Sequence, residues 1–260
     1  MPIASLNSAS LHYELTGPEG APVVVLSNSL GTELNLWEPQ IAGLTRHYRV
    51  LRYDTRGHGS SKSSGSAYSL DDLGGDVLNL LNFLKIEQFH VCGISLGGIT
   101  ALWLAINAPQ RVLSLMPCNT AARIGSERSW EARIEQVTQH GLASIADATM
   151  ERWFTEPFRR SDPLRVESTR RMLLGTDAQG YIACCEALRY ADLRHTVAMI
   201  ASPALVISGT HDPVTPPSDG LYLQDEISSA RYCELNAAHL SNIEQSAAFL
   251  QAMLAFLGAL

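Results

Sequence analysis

Residues 89–107 read FHVCGISLGGITALWLAIN and leave little freedom in how they fold. FHVCGI (89–94) has the length of a strand and is apolar enough to be covered on both faces. LGGITALWLAIN (96–107) has the length and spacing of a helix, stopped by Pro109. A single residue, Ser95, separates them, with Gly93 and Gly97 two positions to either side. A strand that becomes a helix within one residue does so through a sharp elbow, and small flanking residues let the two elements pass close together. Such a turn lifts its central side chain to the carboxyl edge of a sheet, beside the free N–H groups of the helix start. In a chain with 19 glycines the G-x-S-x-G pattern is weak by itself, so the role of Ser95 rests on what surrounds it.

The same alternation recurs along the chain. LHYEL (11–15), PVVVLSN (22–28) and YRVLRYD (48–54) read as strands, the last ended by the turn TRGHGSSKSSG. DDLGGDVLNLLNFL (71–84) reads as a helix with Asp71 and Asp72 in its first turn, where the helix dipole favours them. RVLSLMPCN (111–119) is a further strand. Strand–helix–strand alternation predicts an α/β fold, a mostly parallel sheet with helices on both faces. Between about 122 and 198 the pattern changes to helical stretches with no clear strand. That span holds 11 of the 19 basic and 11 of the 26 acidic residues, so the rest of the chain carries the whole net charge of −7. The sheet resumes with PALVISG (203–209) and ARYCELN (230–236), and NIEQSAAFLQAMLAFL (242–257) reads as a closing helix. The expected organisation is a core of residues 1–121 and 199–260 with a helical cap, 122–198, inserted in it.

Composition narrows the partners. With 46% hydrophobic residues in 260, the chain has enough apolar material for a large core. The charge of −7 and the absence of a basic run argue against nucleic acid or an anionic membrane as partner. Apolar runs such as VVVL (23–26) are far too short to span a bilayer. MPIASLNSAS, at the start, lacks a basic region followed by an apolar stretch, so no signal peptide and a cytoplasmic location are expected. Five cysteines without C-x-x-C spacing are read as free thiols, with no metal site. The sequence specifies no oligomeric state.

A nucleophilic serine needs a base, and the base needs a carboxylate to orient it. SGTHDPVTP places Asp212 just beyond one strand, and LNAAHLSN places His239 just beyond the next. Three separate strand ends thus carry Ser95, Asp212 and His239 in that chain order. His58 and His211 stand close to these motifs and are read as structural, and Asp54 and Arg56 as locks on the DTRGHG turn.

With these motifs the chain resembles the α/β-hydrolase family over essentially its whole length. SNSLGTELNLW is similar to that family's oxyanion loop and YDTRGHGSS to the turn after its fourth strand. The resemblance implies an eight-stranded, mostly parallel sheet with the cap after the sixth strand, the triad Ser95–Asp212–His239, and no cofactor. It also implies oxyanion donors at the backbone N–H groups of Leu96 and Leu30. Where the family often has His-Gly before the loop donor, this chain has Asn28-Ser29.

SNSLGTELNLWEPQ, RYDTRGHGSS, HDPVTPP and AAHLSNIEQ together resemble the 3-oxoadipate enol-lactonases within that family. This implies a small anionic lactone as substrate, whose carboxylate a partly buried pocket must neutralise. Arginine suits that task, and the cap contains arginine but no lysine. Arg133 is the candidate, with Trp130 and Trp153 as walls of the pocket; Glu131 and Glu135 would instead allow Arg133 ordinary helix-surface pairs. The alternatives are a general carboxylesterase or cofactor-free perhydrolase of the same fold, and, from another class, a hydrolase-fold binding module without turnover.

Overall fold

The computed structural model describes residues 2–6, 9–63 and 67–260. Residues 64 and 65, the end of the turn expected after Asp54, lie outside them. Eight strands run in the spatial order β1 (Ile3–Ser5), β2 (Ala9–Thr16), β4 (Arg49–Tyr53), β3 (Val23–Ser27), β6 (Phe89–Ile94), β7 (Val112–Cys118), β8 (Ala204–Gly209) and β9 (Ala230–Leu235). The two-residue β5 (Lys62–Ser63) pairs with β2 off this path. From β4 across to β9 every pairing is parallel, while β1 and β2 are joined antiparallel at one edge. All residues of β3, β6 and β8 are buried, as expected of strands covered on both faces.

Alternate residues of these strands feed two separate cores. Val24, Leu26, Cys92 and Ile94 face one, packed with Trp37, Leu44, Phe249 and Met253 from the region of α1 (Glu38–Leu44) and from α11 (Ser246–Leu257). Val23, Val25, Phe89 and Val91 face the other, with α2 (Leu70–Phe83), α3 (Leu96–Asn107) and α9 (Pro217–Glu226). Helices thus cover both faces of the sheet. Ser69 and Asp72 form a reciprocal capping box at the start of α2.

Five helices lie between β7 and β8: α4 (Glu127–His140), α5 (Ala143–Trp153), α6 (Glu156–Ser161), α7 (Pro163–Gly175) and α8 (Ala178–Tyr190). Their apolar residues, Val137, Ile145, Trp153 and Leu173 among them, join the core that also holds Leu30 and Leu96, so this layer sits over the carboxyl edge of the sheet. Gly180 of α8 meets Gly57 of the DTRGHG turn so closely that a Cβ on either would run into the other's backbone. Gly57 has a φ of 72°, which also favours glycine.

One local expectation differs from the structure. The closing helix is not continuous: α10 (Ser241–Glu244) and α11 are broken at Gln245, with φ −119° and ψ 47°. The first turn is held away by polar contacts, since Ser241 Oγ donates to Asn119 Oδ1 at 2.5 Å and Asn242 Nδ2 to the Leu36 carbonyl at 3.0 Å. Arg56 ties its turn to α2, donating through Nε and Nη2 to the two oxygens of Asp76 at 2.6 Å each. Asp54 also holds the turn, accepting from Ser60 N at 2.9 Å and from Leu34 N at 2.8 Å.

Candidate active site

Ser95 sits between β6 and α3 with φ 56° and ψ −114°, a strained conformation for a residue with a Cβ. Its neighbours impose it. The Ser95 N–H donates to the Cys118 carbonyl at 3.1 Å, and Thr120 Oγ1 donates to the Ser95 carbonyl at 2.8 Å. A side chain at Gly93 would collide with the Gly97 carbonyl, and one at Gly97 with the Ser27 carbonyl. Gly98, which the sequence reading passed over, lies against Thr120 in the same way.

Asp212 and His239 follow the ends of β8 and β9. His239 Nδ1 donates to Asp212 Oδ2 at 2.8 Å, with both residues buried. Asp212 accepts four more hydrogen bonds: from Val214 N at 2.8 Å, Thr215 N at 3.1 Å, Thr215 Oγ1 at 2.8 Å and Asn119 Nδ2 at 3.0 Å. Burial pushes its pKa up, but the charge of His239 and these hydrogen bonds outweigh that and hold it below the ordinary carboxylate value. The proton on His239 Nδ1 leaves Nε2 as the free basic nitrogen. Asn119, at φ 42°, also donates to the Ala238 carbonyl at 3.2 Å, so one side chain locks the acid to the loop that carries the base.

The loop after β3 is pinned from several sides. Asn28 Nδ2 donates to the Tyr53 carbonyl at 2.6 Å, and Asn28 Oδ1 accepts from Trp37 Nε1 at 3.0 Å. Gly31 N–H donates to His58 Nε2 at 3.0 Å, and His58 Nδ1 donates to the Arg56 carbonyl at 3.1 Å. Burial lowers the His58 pKa, which keeps the ring neutral and able to accept. His58 is therefore structural, as expected, and the structure it holds is the loop bearing Leu30. His211 is exposed and bonded to Asn236 Oδ1 at 2.9 Å.

Ser95, His239, Leu30, Trp130, Arg133 and Trp153 line one cavity of about 70 Å³. The sequence candidates therefore converge, with Leu96 buried directly after Ser95 at the start of α3. Arg133 forms none of the helix-surface pairs that Glu131 and Glu135 allowed: Glu131 is bound by Arg189, and Glu135 accepts from Gln139 at 3.0 Å. Trp130 Nε1 is satisfied by the Ile124 carbonyl at 2.7 Å. Arg152 and Tyr181 line the same cavity and were not singled out from the sequence. Both come from helices far along the chain from Ser95, and only their helical phase pointed inward. Among the described residues no group of three or more His, Cys, Asp or Glu could hold a metal ion.

The sequence profile of the family described as alpha/beta hydrolase fold matches residues 22–246. The chain belongs to that family. Among curated relatives, 3-oxoadipate enol-lactonase 1 of Acinetobacter baylyi is 44% identical over 249 residues, 96% of this chain and 93% of the relative. A second enol-lactonase of that organism is 44% identical over 94% of the chain and 91% of its own length. The crystal structure of the enol-lactonase from Burkholderia xenovorans superposes with a TM-score of 0.97 at 45% identity, covering 99% of this chain and all of that one. The family assignment agrees with the fold described above. Among the described residues no helix is long and apolar enough to cross a membrane.

Proposed function

We propose that the chain is a 3-oxoadipate enol-lactonase, hydrolysing the lactone ester bond to give 3-oxoadipate through an acyl-enzyme on Ser95. The observation that carries this reading is the 44% identity, along 96% of the chain, to an enzyme of that name. Residues 122–198 act as the cap over a core formed by 1–121 and 199–260.

In this mechanism His239 Nε2 takes the proton of Ser95 Oγ as the oxygen attacks the lactone carbonyl. Asp212 fixes the required tautomer and offsets the charge that forms on the imidazole. The tetrahedral oxyanion sits against the N–H groups of Leu96 and Leu30, each donor contributing about 3–4 kcal/mol of transition-state stabilisation. When the intermediate collapses, the ring C–O bond breaks and its electron pair passes to the ring oxygen as an enolate. His239 gives the proton it took from Ser95 to this enolate, which becomes the enol and then the ketone, while the acyl group stays on Ser95. Water, deprotonated by His239, then releases the dicarboxylate and restores Ser95. Arg133 binds the substrate carboxylate between the rings of Trp130 and Trp153. The lined space of about 70 Å³ is small beside ordinary ligand pockets of roughly 300–1,000 Å³, so the cap side chains yield when substrate enters.

The test compares kcat/KM for 3-oxoadipate enol-lactone with that for a neutral aryl acetate. A preference for the lactone of roughly a thousandfold or more is expected from a site that pairs a half-buried cation with the substrate carboxylate. Equal or better turnover of the acetate would make the chain a general carboxylesterase.

A further inference from the structure

The 11 arginines of residues 122–198 sort by what neutralises them. Seven have a carboxylate oxygen within 4.0 Å. Four, Arg128, Arg133, Arg152 and Arg165, have none among the described residues. Arg128 and Arg165 are exposed, where water solvates the charge. Arg133, from α4, and Arg152, from α5, are half-buried, and both line the cavity of Ser95 and His239. Arg152 Nη2 donates to Thr149 Oγ1 at 3.2 Å, a neutral partner. Arg133 faces the phenol of Tyr181. The two guanidiniums sense each other: burial first, then the charge of Arg133, hold Arg152 below its ordinary pKa.

Two like charges in a partly buried pocket repel and lose hydration, and the other half-buried arginines of this segment, Arg123, Arg159, Arg170 and Arg189, each have a carboxylate. An unneutralised pair at the one place a ligand must enter points to a counter-ion that arrives with the substrate. We infer that Arg152 is the second prong of a two-guanidinium anion subsite, shared with Arg133, that selects lactones and esters carrying their own carboxylate. This rests on the acyl-transfer reading of Ser95 and deepens it. A second cation has a task in that reaction. The ground-state substrate carries one negative charge, on its carboxylate. As the ring opens, the electron pair of the broken C–O bond places a second charge on an oxygen β to that carboxylate. Two guanidinium forks can hold the carboxylate and meet that developing charge, so Arg152 contributes to kcat as well as to KM.

The experiment measures kcat/KM for the enol-lactone and for 4-nitrophenyl acetate in the wild-type chain, Arg152→Gln, Arg152→Lys and Arg133→Gln. Adipate is the probe ligand, as an inhibitor of acetate hydrolysis. The lactone-to-acetate ratio should fall roughly ten- to hundredfold in Arg152→Gln. Arg152→Lys should recover part of the loss. Competitive inhibition by adipate should weaken in both glutamine variants. Because removing one of two unpaired cations relieves repulsion, Arg152→Gln should melt no lower than wild type. If it unfolds instead, the lysine variant and adipate competition against wild type decide. An unchanged ratio in both Arg152 variants, with lactone turnover intact, overturns the subsite and leaves the enol-lactonase reading standing. Adipate competition that depends on Arg152, in a chain that does not turn over the lactone, upholds the subsite and overturns that reading.

Discussion

On the sheet side of the Ser95 cavity the charge of Asp212 is surrounded by five donors, including Asn119 from a different strand end and Thr215 from its own loop. On the side of residues 122–198 Arg133 and Arg152 face the same space, with no carboxylate oxygen within 4.0 Å of either among the described residues. The sheet side is a finished electrostatic device whose geometry is set before substrate arrives, as transition-state stabilisation requires. The other side carries two cations without an ion pair, which under the proposed subsite lowers the energy of a complex with an anion. In the proposed mechanism, chemistry and selectivity thus reside on different layers of the fold.

The strongest way to break this division is to disturb the finished side. In Asp212→Asn the four surrounding donors meet a side chain with one acceptor, and His239 loses the partner that fixes its tautomer. kcat should fall roughly 10³–10⁴-fold for lactone and aryl acetate alike, with the far-ultraviolet circular dichroism unchanged. A loss confined to the lactone would place selectivity on the sheet side and undo the comparison.

A smaller effect is expected where the two layers meet. Glu244 accepts from the backbone N–H groups of Ala238, beside His239, at 3.1 Å and of Thr155 at 3.2 Å, and also from Thr155 Oγ1. Leu240 N–H donates to the Trp153 carbonyl at 3.1 Å. The loop that carries His239 is therefore tied directly to the segment that carries Trp153. Glu244→Gln should lower kcat roughly tenfold on both substrates through misplacement of His239, with little change in lactone preference. Steady-state kinetics on the two substrates would show whether preference changes as well.

The smallest effect is on stability. Asp212 titrates lower when folded than its ordinary 3.8, so its hydrogen bonds contribute fully above that value. The contribution is lost as pH falls through the depressed folded value. The Tm advantage of wild type over Asp212→Asn should therefore shrink between about pH 5 and pH 3 and stay level from about pH 5 to 8. An advantage that grows on acidification would contradict the depressed value.

The strands, the elbow and the positions of Ser95, Asp212 and His239 are legible because each is set by local pattern: apolar runs of strand length, or a polar residue just beyond one. The edge strands β1 and β5 are not, since three and two residues carry no period. Nor is the helix α9, whose residues mix polar and apolar without a clear stripe. The break at Gln245 was hidden because NIEQSAAF has good helical spacing, and only contacts from Asn119 and Leu36, more than 100 residues away, divide it. In the site, Asn119, Arg152 and Glu244 escaped for the same reason. Each is an ordinary polar residue in sequence, and its role comes from a partner across the fold.

The contact of Gly57 with Gly180 bears on recombination. Caps exchanged between relatives would have to carry a residue without a side chain at the seam, and the receiving core would need one opposite it. A chimera that meets only half of that condition would hold its cap away from the sheet by the width of a methyl group. It would keep the triad intact, with the arginines out of register with the substrate.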